Sequence, residues 1–245
     1  MRIGITRHSS RFLTLAAFLY LTTGGSSSGE TPRETLQRLE KQQDRMNTLF
    51  LATTRTEQRD GVHKETVART FKKRVGSVWL TRQESRTTTT DKTRKQKSLS
   101  ESLRVSDGVS EWTETRLDGQ TIVLKSKPVV TSAFTEVWAL LKNGTAKMKE
   151  RETVKGQPCV VLEIAGETGS IPYRVTYWIS ERHGLILKKR HVWAGRGTAE
   201  LRTSALALDE PIADSEFAYA LPPDARVIDA GTIGNKQPRE PDKKD

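Results

Sequence analysis

Apolar positions along "TPRETLQRLEKQQDRMNTLF" recur at helical spacing, with Leu36, Leu39, Met46, Leu49 and Phe50 on one stripe. The start of that helix is legible: Thr31 is an N-cap residue, Pro32 suits the first helical position, and Glu34 completes a T-x-x-E capping box. From Phe50 the period changes to two. "TLFLATTRTEQRDGVHKETVARTFKK" predicts two strands around Asp60-Gly61, and "VSDGVSEWTETRLDGQTIVLKS" predicts three around Asp107-Gly108 and Asp118-Gly119, because Asp-Gly supplies the positive φ that two-residue hairpin turns require. Between them, Ser77 to Arg86 predicts a strand and the polar, Thr-rich stretch from Thr87 to Ser98 a long hairpin tip or flexible loop. After Lys127-Pro128 a second helix is predicted, with Phe134, Val137, Trp138 and Leu141 on one face and Asn143-Gly144 as its stop. Strands then resume to Leu208, and in "IPYRVTYWI" the residues Ile171, Tyr173, Val175, Tyr177 and Ile179 share a face. The pattern predicts an α+β chain with a meander of ten or eleven antiparallel strands and two amphipathic helices, in one domain over 29–230. A polar tail over 231–245 is expected to be disordered.

Composition supports the all-antiparallel reading. A hydrophobic content of 34% is low for a globular chain, but strands wetted on one side need a polar residue at every second position. Five Trp along the chain argue against disorder as the alternative.

The first residues stand apart. Arg2, Arg7 and Arg11 precede an apolar run from Phe12 to Leu21 and then small residues, with no acid before Glu30. This is the pattern of a secretory signal peptide over 1–28, cleaved between Gly24 and Ser28, and the run is shorter than the about 20 residues that span a bilayer. It holds no cysteine to carry lipid. The expected location is therefore periplasmic or secreted. Losing three of 41 basic residues against 30 acidic ones lowers the formal charge from +11 to +8. Such a charge favours an anionic partner, and export favours a membrane surface over nucleic acid.

Candidate chemistry is sparse. His8, His63, His183 and His191 lack a spaced partner of the kind zinc requires, so no metal is expected. No G-x-S-x-G, phosphate-cradling loop or fixed carboxylate pair is present, and Glu111 and Glu114 are expected to be solvated strand residues. Cys159, the single cysteine, lies in the apolar run "QPCVVLEIAG" and is expected to be a buried, inert thiol. The chain is expected to be no enzyme and to need no cofactor. Ten Lys or Arg between Arg69 and Lys97, against Glu84 and Asp91, form either a solvated face or a surface for anionic lipid or an acidic partner; Lys92, Arg94, Lys95 and Lys97 are its candidate contacts.

Four phrases carry a family resemblance: "VSDGVSEW", "VKGQPCVVLEI", "YWISERHGLILKKRHV" and "DSEFAYALPPDARVID". In this order and spacing the sequence resembles the LolA-like family, which includes the periplasmic carrier of outer-membrane lipoproteins, LppX/LprG-type lipid carriers and RseB-type sensors. The chain departs from it in the acid displaced to Glu181 and in the longer, more basic segment from Thr87 to Lys97. The resemblance implies a strongly curved, incomplete antiparallel barrel capped by helices, with Phe217 plugging its edge and Val227-Ile228 adding a last pairing. It further implies a monomeric carrier that holds lipid or lipoprotein acyl chains and moves them across the periplasm, touching anionic membrane and an inner- or outer-membrane protein. The candidate pocket wall is Phe50, Val78, Leu80, Ile122, Leu124, Val160, Leu162, Ile164, Tyr173, Val175 and Tyr177, with Phe134 and Trp138 on the covering helix; the same residues suit plain core. The alternative is a sensor module binding a membrane protein's extracytoplasmic segment.

Overall fold

The computed structural model describes residues 29–117, 119–129 and 132–230. The leader, the tail and Asp118 of the third Asp-Gly turn lie outside the described residues. Of the chain's two units, Met1–Glu30 and Thr31–Asp245, the second carries every helix and strand among the described residues.

The capping box forms as the sequence predicts: Glu34 N donates to Thr31 Oγ1, and Thr31 N donates to Glu34 Oε2 at 2.8 Å. Helix α1 (Pro32–Gln43) buries Leu36 and Leu39 and then stops. The predicted apolar stripe continues as residues but not as helix: after a turn at Asp44 and Arg45 the chain enters strand β1 (Thr48–Arg59), so Leu49 and Phe50 point to opposite sides of a strand. A run with β-branched and aromatic residues and a strand partner on each side outweighs the helical spacing.

The other strands are β2 (Val62–Val75), β3 (Val78–Asp91), β4 (Gln96–Ser106), β5 (Glu111–Leu117), β6 (Gln120–Ser126), β7 (Thr145–Val154), β8 (Gln157–Thr168), β9 (Ile171–Ser180), β10 (Ile186–Trp193), β11 (Gly197–Leu208) and β12 (Arg226–Asp229). Helix α2 (Thr135–Asn143) lies between β6 and β7. All twelve strands form one open, curved sheet in the order β12-β6-β5-β4-β3-β2-β1-β11-β10-β9-β8-β7. That is one strand more than the upper expectation, and β12 pairs with β6 in parallel. The Asp60-Gly61 turn has φ of 49° and 80°, both positive as its hairpin type requires.

The stretch from Thr87 to Ser98 is a correction. β3 runs to Asp91 and β4 restarts at Gln96, so only four residues turn. Its threonines pair across the sheet, and the Thr66 and Thr87 hydroxyls are 2.9 Å apart. Strand alternation is invisible there because both faces are polar.

The main core lies under the helices. Leu36 and Leu39 of α1 and Phe134 and Val137 at α2 pack against Val160, Leu162, Ile164, Tyr173, Val175, Tyr177 and Ile179 of β8 and β9. A second cluster gathers Met46, Leu49, Cys159, Val161, Trp178, Leu185 and Leu187. Gln43 Nε2 donates to the Gly184 carbonyl at 2.7 Å and ties the end of α1 to the β9–β10 turn.

Candidate ligand-binding face

The predicted wall residues fall into three groups. Val160, Leu162, Ile164, Tyr173, Val175, Tyr177 and Phe134 are at most 6% exposed and packed beneath α1 and α2. Trp138 packs beside them and donates its Nε1 hydrogen to Glu40 at 3.0 Å. These residues fill space as core and line neither cavity described below. Val78, Ile122 and Leu124 are exposed on strands, and Leu80 is half-buried. Of these wall residues, Phe50 alone lines one of the two cavities described below.

The strand register builds two ladders on one face, because residues opposite each other in an antiparallel pair point the same way. One runs Val67–Arg86–Glu101–Arg116 and the next Arg69–Glu84–Leu103–Glu114, from β2 to β5. They line a cavity of about 520 Å³. Its three glutamates each hold an arginine: Glu84 with Arg82 at 2.7 Å, Glu101 with Arg86 at 3.8 Å, and Glu114 with Arg116 at 2.7 Å. Glu114 is 4% exposed and Glu111 8%. Both were expected in water. Three residues apart on a strand they bury on opposite faces, and Glu111 has its own partner in Arg104 at 2.7 Å.

The next ladder on that face, Phe71–Arg82–Val105–Trp112, borders the groove, and its Phe71 lines a recess of about 260 Å³. Phe50 and Phe71, with ring centroids 5.0 Å apart, form the recess floor with Thr48 and Ala207. Its roof is the segment 210–216, with Pro211, Ile212 and Ala213 facing in. This strap is fastened along its length. Thr48 Oγ1 donates to the Glu210 carbonyl at 2.6 Å, and Lys73 Nζ donates to the Ile212 carbonyl at 3.1 Å and to Asp214 at 2.7 Å. A 3-10 turn (Asp214–Phe217) then buries Phe217, and Tyr219 stacks on Trp112 at 5.7 Å while its hydroxyl donates to Glu114 at 3.2 Å. Burial, and then the charge of Glu114, pushes the Tyr219 hydroxyl up to about 12.

The basic tip is at the β3–β4 turn. Lys92, Arg94, Lys95 and Lys97 are all exposed there; Arg94 lies 3.8 Å from Asp91, and Lys92 N donates to the Gly61 carbonyl of the neighbouring hairpin. Cys159 is fully buried, its Sγ 3.4 Å from the Gln157 carbonyl, and desolvation pushes its thiol up. Among the described residues no group of three or more His, Cys, Asp or Glu is placed to hold a metal, and no helix is long and apolar enough to cross a membrane. Arg69 and Arg86 were foreseen only as members of the basic stretch, with Glu84 as an opposing acid, and Arg116 was not foreseen. Their signal, charge at every second position on consecutive strands, becomes a site only once the register is known.

No protein-family model and no curated protein matches the chain. Among solved structures it is similar to the Pseudomonas aeruginosa MucA/MucB complex, at 18% identity and a TM-score of 0.43 over 76% of this chain and 60% of that one. It is similar to the lipoprotein LppX of Mycobacterium tuberculosis, at 13% identity and a TM-score of 0.41 over 75% and 99%. A putative outer membrane lipoprotein-sorting protein domain from Vibrio parahaemolyticus matches at 12% identity and a TM-score of 0.32 over 75% and 94%. The chain spans about three fifths of the length of the MucB structures it matches. At these identities and scores, no ligand or partner passes from these proteins to this chain.

Proposed function

We propose that this chain is an exported, non-catalytic carrier that holds the acyl part of an amphiphile in the recess between the Phe50–Phe71 floor and the 210–216 strap. The observation that carries the reading is the recess itself: an aromatic floor beneath a roof of Pro211, Ile212 and Ala213, held by a few polar ties rather than by the main core. Each acyl methylene buried there contributes about 0.8 kcal/mol. The groove next to it, lined by ions, takes the polar part, and the basic tip at Lys92, Arg94, Lys95 and Lys97 meets the anionic surface of a donor or acceptor membrane.

The test is uptake of a fluorescent fatty-acyl probe by purified protein. Phe71→Asp, a change at a half-buried position, should abolish uptake with the circular dichroism spectrum intact. Wild-type protein that takes up no acyl probe and extracts no lipid from vesicles sinks the carrier reading. A sensor module remains the second reading, favoured by the Arg and Glu side chains that line the groove and can pair with the charges of a polypeptide segment. Purification with a protein segment in the groove and no lipid decides for it.

A further inference from the structure

We propose that Arg69 is the anion anchor of this face, so that the ligand carries a phosphate or carboxylate head group. The inference rests on the carrier reading and adds to it the chemistry of the head.

The charges of the groove leave one cation over. Glu84, Glu101 and Glu114 are matched by Arg82, Arg86 and Arg116, and Arg69 makes no ion pair with any described residue. Glu84, its register partner on β3, is held at Oε1 by both Nε and an Nη of Arg82, at 2.8 and 2.7 Å. On the β1 side the register partner is Ala52, which carries no charge to pair with Arg69. Arg69 is exposed to the cavity, so its fork is hydrated and open to a ligand. A guanidinium holds a carboxylate or phosphate through two parallel N–H donors, a geometry that lysine lacks.

Position joins this anchor to the recess. Arg69 and Phe71 are alternate residues of β2 and point to the same side, about 7 Å apart along the strand. A ligand whose acyl chain lies over Phe71 therefore brings its first polar group level with Arg69. Leu103, in the same ladder as Arg69, supplies apolar contact for the carbons next to the head. Nothing in the sequence singles out Arg69 from the nine other bases between it and Lys97; the pairing of its neighbours does.

The experiment is displacement of a fluorescent acyl probe by four ten-carbon competitors: decyl phosphate, decanoate, decanol and a zwitterionic decyl phosphocholine. Wild-type protein should bind the two anions at least tenfold tighter than decanol, with the gap closing at high salt. Arg69→Gln should bind all four alike, and Arg69→Glu should reject the anions while still taking decanol. Arg69→Lys should recover only part of the preference if the fork, rather than charge alone, does the holding. The side chain is exposed, so each variant is expected to fold, which circular dichroism verifies. The ratio of phosphate to carboxylate binding in wild-type protein identifies which head is preferred, and either supports the anchor. Equal binding of all four by wild-type and Arg69→Gln protein overturns the anchor and leaves the carrier standing. Failure of every competitor and of the probe overturns both.

Discussion

Phe217→Ala should release the strap without unfolding the sheet. Phe217 is 6% exposed and is the one buried side chain between Asp209 and Leu221. Truncating a buried Phe to Ala costs about 3–5 kcal/mol. Besides the Thr48, Lys73 and Arg82 bonds to the strap, the remaining ties are the Trp112–Tyr219 stack, worth about 0.5–1.5 kcal/mol, and the Tyr219–Glu114 bond, about 1.5–3 kcal/mol as a bond to a charged group. Loss of 3 kcal/mol raises the open fraction of the strap more than a hundredfold. Neither core cluster includes a strap residue, so the loss should appear as local opening. Hydrogen exchange read by mass spectrometry should show the peptide over 210–221, with the bonded amides of Glu216 and Ala218, exchanging at least a hundredfold faster. Peptides from β8 and β9 should stay close to wild type, and acyl-probe uptake should quicken as the roof loosens. Unchanged exchange in the strap, or equal acceleration in strap and sheet, would mean that Phe217 does not hold the strap as a separate unit.

Gly184→Ala should cost at least about 2–3 kcal/mol, since φ is +63° and a Cβ would lie 1.9 Å from the Leu39 carbonyl oxygen of α1. At this size that lowers Tm by about 5–10 °C, and a Tm within a degree of wild type in calorimetry contradicts it. His191, stacked 3.8 Å from Trp193 and edge-on to Tyr173, is held down to about 4 by burial first and then by Lys189, Arg55 and Arg59 against an opposing Glu136. The unfolded chain takes up that proton near the ordinary 6.5, so this contribution to stability is complete above about pH 6.5 and falls away between there and about pH 4, by something on the order of 2 kcal/mol for a half-buried ring. Urea titrations of His191→Gln should show a shallower pH slope across that window; the same slope as wild type argues against it.

The sequence tells most where one residue type answers one geometric demand. Thr31, Pro32 and Glu34 can only start a helix, and Asp60-Gly61 can only turn a hairpin; both form as expected. It tells less where the deciding partner is distant. Leu49 and Phe50 fit a helix by spacing until β2 and β11 claim them on either side. The threonines from Thr87 to Thr90 have no apolar face to betray their strand. Val160, Leu162 and Tyr177 alternate identically whether they line a pocket or a core, and what decides is the depth to which Leu39 and Phe134 press on them. The groove lay beyond reach for the same reason: Arg69, Glu84, Leu103 and Glu114 come from four strands and meet only through a register that no local pattern encodes.

The pairing of β1 with β11 divides the sheet into two meanders that share one seam. Every other antiparallel pair joins consecutive strands, whereas this seam closes the chain between Asn47 and Asp209, 162 residues apart. Closing a loop of that length costs about 4–5 kcal/mol in chain entropy before any seam contact repays it. The first meander can therefore assemble early, while the full run of β1 waits for a partner that arrives near the end of the chain. During that interval the bare edge of Thr48–Arg59 is free to pair with another molecule, as any uncovered strand is. The hazard therefore lies in the order of arrival, because this one edge stays uncovered until the last long strand of the second meander is in place.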